Sequence, residues 1–200
     1  MSAAPRLRFS PDEFLEWENR QPERHEYHRG EVFAMAGGTE PHARIIGNLH
    51  FHLRLALKGR GCTVYTDALR VRIEAEDLFT YPDLSVVCGP GEFYDARRTT
   101  LLNPSVLVEV LSDSTETYDR MTKWRFYRQI PSLQAYVMTA QDGRAVDVIS
   151  RDADGWRLQT DADGAVEIEA PGLSLGLSLS LDDIYEGVTF PEPTGRPSAT

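Results

Sequence analysis

No apolar run in the chain of 200 residues approaches the roughly 18 that a membrane-spanning helix needs. The start, MSAAPRLRFSPDEF, lacks an apolar stretch of the secretory-signal kind, so export by that route is not expected. Cysteine is scarce: Cys62 and Cys88 cannot supply a disulfide framework or a four-thiolate zinc site. Both lie in apolar, strand-like segments, which predicts buried reduced thiols. With the other absences, this predicts a soluble cytoplasmic protein without a membrane partner. Lysine is nearly missing too, since the 21 basic residues are 19 Arg plus Lys58 and Lys123. Arg is a permanently charged fork and Lys a compact, tunable ammonium. The two surviving lysines therefore draw notice, although coding bias produces the same skew. No G-x-S-x-G, P-loop or dinucleotide fingerprint occurs, which leaves esterase, NTPase and dehydrogenase readings without support.

What is abundant is acid, with a formal net charge of −10. That sum argues against a nucleic-acid partner until it is divided along the chain. Residues 142–200 hold 12 acids and 4 Arg, a balance of −8, and residues 1–141 only −2. The acidity belongs to the C-terminal part, where DNA should not lie. Ordinary hydrophobic and charged fractions, 41% and 26%, fit a globular domain, and the length suits one domain over residues 1–190 followed by an unordered tail at 191–200.

Ser10-Pro11-Asp12-Glu13 is a helix start, with Ser10 at the N-cap and Glu13 completing a capping box. A strand is expected around Glu31–Met35. Ile45, Ile46, Leu49, Leu53, Ala56 and Leu57 recur at helical spacing and predict a long helix over 41–58. Residues 62–73 read as one strand and 81–88 as another, then a loop over 89–103. Ser105–Leu111 (SVLVEVL) is the most apolar strand, as for one buried on both faces. A second long helix is expected over 112–129, with Ser112 or Ser114 as N-cap, and a strand over 133–139. Beyond Gln141, QDGR and two DADG turns punctuate an antiparallel meander that extends the same sheet. The pattern is α/β (α+β): a mixed central sheet flanked by helices, with a C-terminal antiparallel extension.

Two acids sit where packing alone would not place them: Asp83 after Tyr81-Pro82, and Glu109 inside SVLVEVL. An ionised carboxylate in an apolar strand is costly without a cation or hydrogen-bond partner. Two on neighbouring strands have the ligand chemistry of Mg²⁺. Asp119 and Lys123, four apart on the following helix, return an ammonium toward the same point. Carboxylate, carboxylate and ammonium suit metal-assisted phosphodiester hydrolysis. The bland readings are a turn-capping Asp83, a Glu109 paired with an Arg, and an ordinary surface Asp119–Lys123 pair. It is the conjunction that favours chemistry.

The order Pro82-Asp83, Glu109-Val110-Leu111-Ser112, then Asp119, Lys123 and Tyr127 resembles the Uma-two group of restriction-endonuclease-like proteins, within the PD-(D/E)XK nuclease superfamily. The resemblance spans roughly residues 8–185. Glu26 before Gly30-Glu31 is similar to the family's N-terminal acidic motif, and His42 to its helix-start histidine. It departs from the superfamily name, which puts Lys where Leu111 stands; Lys123 matches the family's lysine on the following helix. Asp113 replaces the family's usual Pro. The resemblance implies a restriction-endonuclease-like core and Mg²⁺-dependent (or Mn²⁺-dependent) cleavage of DNA. Asp83, Glu109 and the Val110 carbonyl would be metal ligands, Lys123 would orient water or stabilise charge, and Glu26 would be an outer acid. A homodimer is expected, because cutting two strands with one site per chain favours two-fold symmetry.

Two other readings stand beside this: a noncatalytic binding or regulatory module that keeps the nuclease fold, and a hydrolase of another phosphoester. The five histidines, all between residues 25 and 52, admit a zinc reading. His50 and His52 point in different directions on a helix and no Cys joins them, which favours surface or half-buried histidines. His42, at a helix start, could meet a phosphate. Arg120, Lys123, Arg125 and Arg128, and a second group formed by Arg44, Arg54, Lys58, Arg60, Arg70 and Arg72, are candidates for a DNA-facing groove or for solvated faces.

Overall fold

A computed structural model describes residues 8–35, 37–112, 115–161, 164–170 and 175–190. The expected tail at 191–200 and the residues Asp113 and Ser114 lie outside the described residues. The first helix, α1 (Pro11–Glu18), starts as its sequence dictates, with Ser10 and Glu13 forming a reciprocal capping box. Its Phe14 packs on Tyr27 and Phe79, from strands β1 (His25–His28) and β5 (Leu78–Thr80).

A five-stranded sheet has the order β2-β1-β5-β4-β7, with β2 at Glu31–Ala34, β4 at Arg70–Ile73 and β7 at Thr100–Leu101. A six-stranded sheet has the order β11-β10-β9-β8-β6-β3. Here β3 is Cys62–Thr66, β6 Leu84–Cys88, β8 Val106–Leu111, β9 Ala135–Ala140, β10 Val146–Asp152 and β11 Gly155–Thr160. The pair β8–β9 is parallel and its neighbours antiparallel, so the sheet is mixed.

Strand β8 is buried along its whole length, as its apolar run predicts. Its Val106, Val108 and Val110 enter one core, with helix α2 (Glu40–Ala56) supplying Ile45, Leu49 and Leu53. Leu107 and Leu111 enter a second core on the opposite face, beside Val71, Ile73, Phe126 and Tyr136. Glu109 takes the position between those two leucines, so the side chain alternation of a strand aims it into the second core.

Several expectations require correction. The segment 62–73 is two strands, not one, because Asp67–Leu69 turns the chain from the six-stranded sheet into the five-stranded one. Residues 81–88 likewise form a strand only from Leu84, and Tyr81–Asp83 is the passage between the sheets. The charged stretch after Pro22 conceals β1, whose one buried side chain, Tyr27, carries too little apolar signal. The loop 89–103 contains β7. Only β10 and β11 extend the main sheet; β12 (Ala165–Ala170) and β13 (Leu175–Ser180) pair with each other and cover the first core, with α4 (Leu181–Ile184) following. The cysteines are not reduced thiols. Cys62 and Cys88 are directly opposite in the β3–β6 ladder and form a disulfide, their Cα atoms 4.0 Å apart. Twenty-six residues of separation hide that register from a linear reading. Among the described residues no helix is long and apolar enough to cross a membrane.

Candidate functional site

The ladder between β6 and β8 ends at Leu84 and Val108. Beyond it Val110 has no strand partner on that side, and its N–H donates to Asp83 Oδ2 at 2.7 Å. A strand residue directs its N–H and C=O to the same side, so the Val110 carbonyl faces the same space as Asp83. The His42 ring stands there: its Nε2 is 3.4 Å from Asp83 Oδ2, and the Val110 carbonyl accepts a hydrogen bond from it. The Asp83 hydrogen bond, opposed by burial and supported by the Asp83 charge, raises the His42 pKa above its ordinary value. Thr39 caps α2 and accepts from the His42 N–H, which sets the ring at the helix start.

Glu109 is only 4% exposed. Its Oε1 accepts from Lys123 Nζ at 3.0 Å and from the Tyr127 hydroxyl at 2.6 Å. Burial pushes its carboxyl up to about 8; Lys123 opposes that rise, and the charges of Asp83 and Asp119 add to it. Asp119 is as deeply buried, with Oδ1 3.0 Å from Lys123 Nζ but out of hydrogen-bond alignment. Burial works against the Lys123 charge, yet Glu109, Tyr127, Asp119 and Glu26 together hold this ammonium well above the ordinary lysine range.

The segment after β8 explains how these groups meet. Asp119, Lys123 and Tyr127 recur every fourth residue, a spacing that drifts round an α-helix at 3.6 residues per turn. Tyr118–Lys123 is a π-helical turn, followed by α3 (Trp124–Tyr127). The wider π turn offsets the drift and keeps all three on the Glu109 side. Arg120 fastens the turn to β10 through Asp147 and to its own helix through Glu116.

Asp83 therefore meets the Val110 backbone, Lys123 meets Glu109, and the Asp83 charge acts on Glu109. Glu26 lies one step out. It accepts a hydrogen bond from Thr80 Oγ1, and its charge acts on both Lys123 and Tyr118. The Asp119–Lys123 pair is buried, not the surface pair that its spacing allows. Tyr127 Oη and the His42–Asp83 contact complete the cluster; the repeat of four from 119 to 127 was the available signal for the first. The expected basic groove is partly consumed by structure: Arg70 is buried, Lys123 is half-buried against Glu109, Arg72 lies over the Phe79 and Tyr94 rings, and Arg44 pairs with Glu40.

Among the described residues no three His, Cys, Asp or Glu side chains are gathered as a metal cage. The donors present are two carboxylates and a backbone carbonyl, all hard oxygens, with three buried or half-buried acids against Lys123 and His42. That set fits a cation that takes one or two carboxylates and keeps several waters, as Mg²⁺ does.

Comparison with known proteins shows what the chain is similar to. An uncharacterized protein of Synechocystis, slr1290, is 37% identical over 191 residues, covering 94% of this chain and 97% of its own. A second uncharacterized Synechocystis protein, sll1609, is 33% identical over 129 residues, covering 64% of this chain and 73% of its own. The crystal structure of a "putative nuclease belonging to DUF820" from Anabaena variabilis superposes with a TM-score of 0.68 at 20% identity, covering 89% of this chain and 98% of that one. It shares the fold: a mixed α+β core with sheets flanked by helices. The Uma2 family, described as "Putative restriction endonuclease", matches residues 11–182. The chain belongs to that family of restriction-endonuclease-like proteins.

Proposed function

We propose that this protein is a metal-dependent nuclease that hydrolyses phosphodiester bonds of DNA. The observation that carries the reading is the convergence of Asp83, the Val110 backbone, Glu109 and Lys123 at the split between β6 and β8. Asp83, Glu109 and the Val110 carbonyl would hold a divalent cation, Mg²⁺ or Mn²⁺. When bound, such an ion supplies a water of lowered pKa and neutralises charge on the phosphate. Lys123 would orient the attacking water and meet negative charge developing on phosphate oxygens. Tyr127 and Asp119 hold Lys123 and Glu109 in register, and Glu26 adds negative charge behind the ammonium. His42, at the N-terminus of α2, is positioned to give a proton or a hydrogen bond to an oxygen at the same place. A homodimer would supply one such site per strand.

The test is cleavage of plasmid and of single-stranded DNA with Mg²⁺ or Mn²⁺, with and without EDTA. Asp83→Asn and Glu109→Gln should abolish activity, and Lys123→Met should lower it by about 10²–10³-fold, wherever the fold is retained. Activity that survives all three overturns the assignment. Failure of the wild type to bind either metal would favour the noncatalytic module instead.

A further inference from the structure

The π-helical turn carries more than Asp119 and Lys123. Tyr118 is 41% exposed and Met121 68%, two large apolar groups side by side next to the charge cluster. With Thr117, Thr122 and Arg125 they line an open cavity of about 590 Å³. That volume lies in the range of roughly 300–1,000 Å³ typical of small-molecule sites. Its lining has one cation, Arg125, and no acid. The cavity is continuous in sequence with the candidate site, since Asp119 and Lys123 point inward from the turn whose Tyr118 and Met121 stay outside.

We propose that Tyr118 and Met121 form a stacking platform for a nucleobase next to the scissile phosphate, so that the substrate is unpaired or locally opened nucleic acid. This inference rests on the nuclease reading and adds the substrate class. A base offers its π-face to a side chain only when it is out of the duplex stack. A duplex binder draws its affinity from many Lys and Arg contacts to phosphates. Around this cavity Arg120 and Lys123 are already committed to acids, and Arg125 is the one cation of its lining. Affinity at this place must then come from contacts of another kind, and an aromatic ring with a polarisable thioether beside a guanidinium supplies them.

The experiment measures fluorescence anisotropy of a short labelled single-stranded oligodeoxynucleotide, and of the same sequence as a blunt duplex, with the full chain in EDTA. The single strand should bind more tightly than the duplex. Tyr118→Ala should weaken single-strand binding by at least about five-fold and leave duplex binding unchanged. Met121→Ala should act in the same direction, and Tyr118→Phe, which keeps the ring, should restore binding. Equal wild-type affinity for both forms, or unchanged single-strand binding by Tyr118→Ala, overturns the platform. The two readings fail separately. Metal-dependent cleavage with an unaltered KM in Tyr118→Ala removes the platform alone. Ring-dependent single-strand binding without any metal-dependent cleavage removes the nuclease activity alone.

Discussion

The carboxylate of Asp83 occupies the place of a missing β-strand, accepting the Val110 N–H at 2.7 Å two residues beyond the last β6–β8 ladder pair. One side chain thus closes the sheet split and brings a carboxylate beside the Val110 carbonyl. Those two duties can be separated. Asp83→Asn keeps an oxygen for the N–H, whereas Asp83→Ala leaves a buried donor unsatisfied at a cost of about 1–3 kcal/mol. Thermal or urea unfolding should show Asp83→Ala clearly destabilised and Asp83→Asn close to wild type. Both should lose metal-dependent activity.

Lys123 is the only cation in contact with Glu109 among the described residues, and it also touches Asp119. Removing it in Lys123→Met leaves two buried acids without their ammonium partner, a change that typically costs about 3–5 kcal/mol when a partner is left charged. Glu109 keeps its proton up to about pH 8, so the loss should be small near pH 5 and grow as pH rises through 8. Denaturant melts of both proteins across that range give the comparison; a loss independent of pH would argue against ionised partners. Activity should fall by about 10²–10³-fold where the fold is retained.

Metal binding should release protons. Burial raises the Glu109 carboxyl to about 8, so it carries its proton into the neutral range without metal, and the bond to Asp83 raises His42 above its ordinary value. For each, the folded pKa exceeds the unfolded one. Stability of the metal-free protein should therefore be greatest below the unfolded pKa and decline as pH rises through the folded one, for Glu109 between about 4.5 and about 8. A cation at these oxygens favours the deprotonated forms. Mg²⁺ or Mn²⁺ affinity should climb from pH 6 to pH 8, with calorimetry in buffers of different ionisation enthalpy showing net proton release. Affinity flat with pH would contradict it.

The Cys62–Cys88 bond closes 26 residues of chain between an edge strand and its neighbour. Chain-entropy arguments assign such a loop about 3 kcal/mol. Cys88→Ser, or reduction in denaturant, should lower stability by an amount of that order. Thiol titration of the unreduced, unfolded protein should find no free cysteine.

The local elements were legible wherever one physical signal dominated. Ser10 and Glu13 announced α1, helical periodicity announced α2, and the unbroken apolar run of β8 made Glu109 conspicuous. Partition of the charge also survived: every proposed catalytic residue lies in the nearly neutral part of the chain. What no linear pattern contains is where a segment leaves one sheet for another. Residues 62–73 and 81–88 read as strands, but where they cross between sheets depends on long-range pairing, and that crossing leaves Asp83 free to meet Val110. Likewise, spacing of four is the same for a solvated Asp119–Lys123 pair and a buried one. Only the π turn and its packing against β8 and β9 direct that pair onto Glu109. Sequence alone determined which acids were expensive to bury. Tertiary structure decided which groups offset that cost, because desolvation is a property of the residue's surroundings and not of its place in the chain.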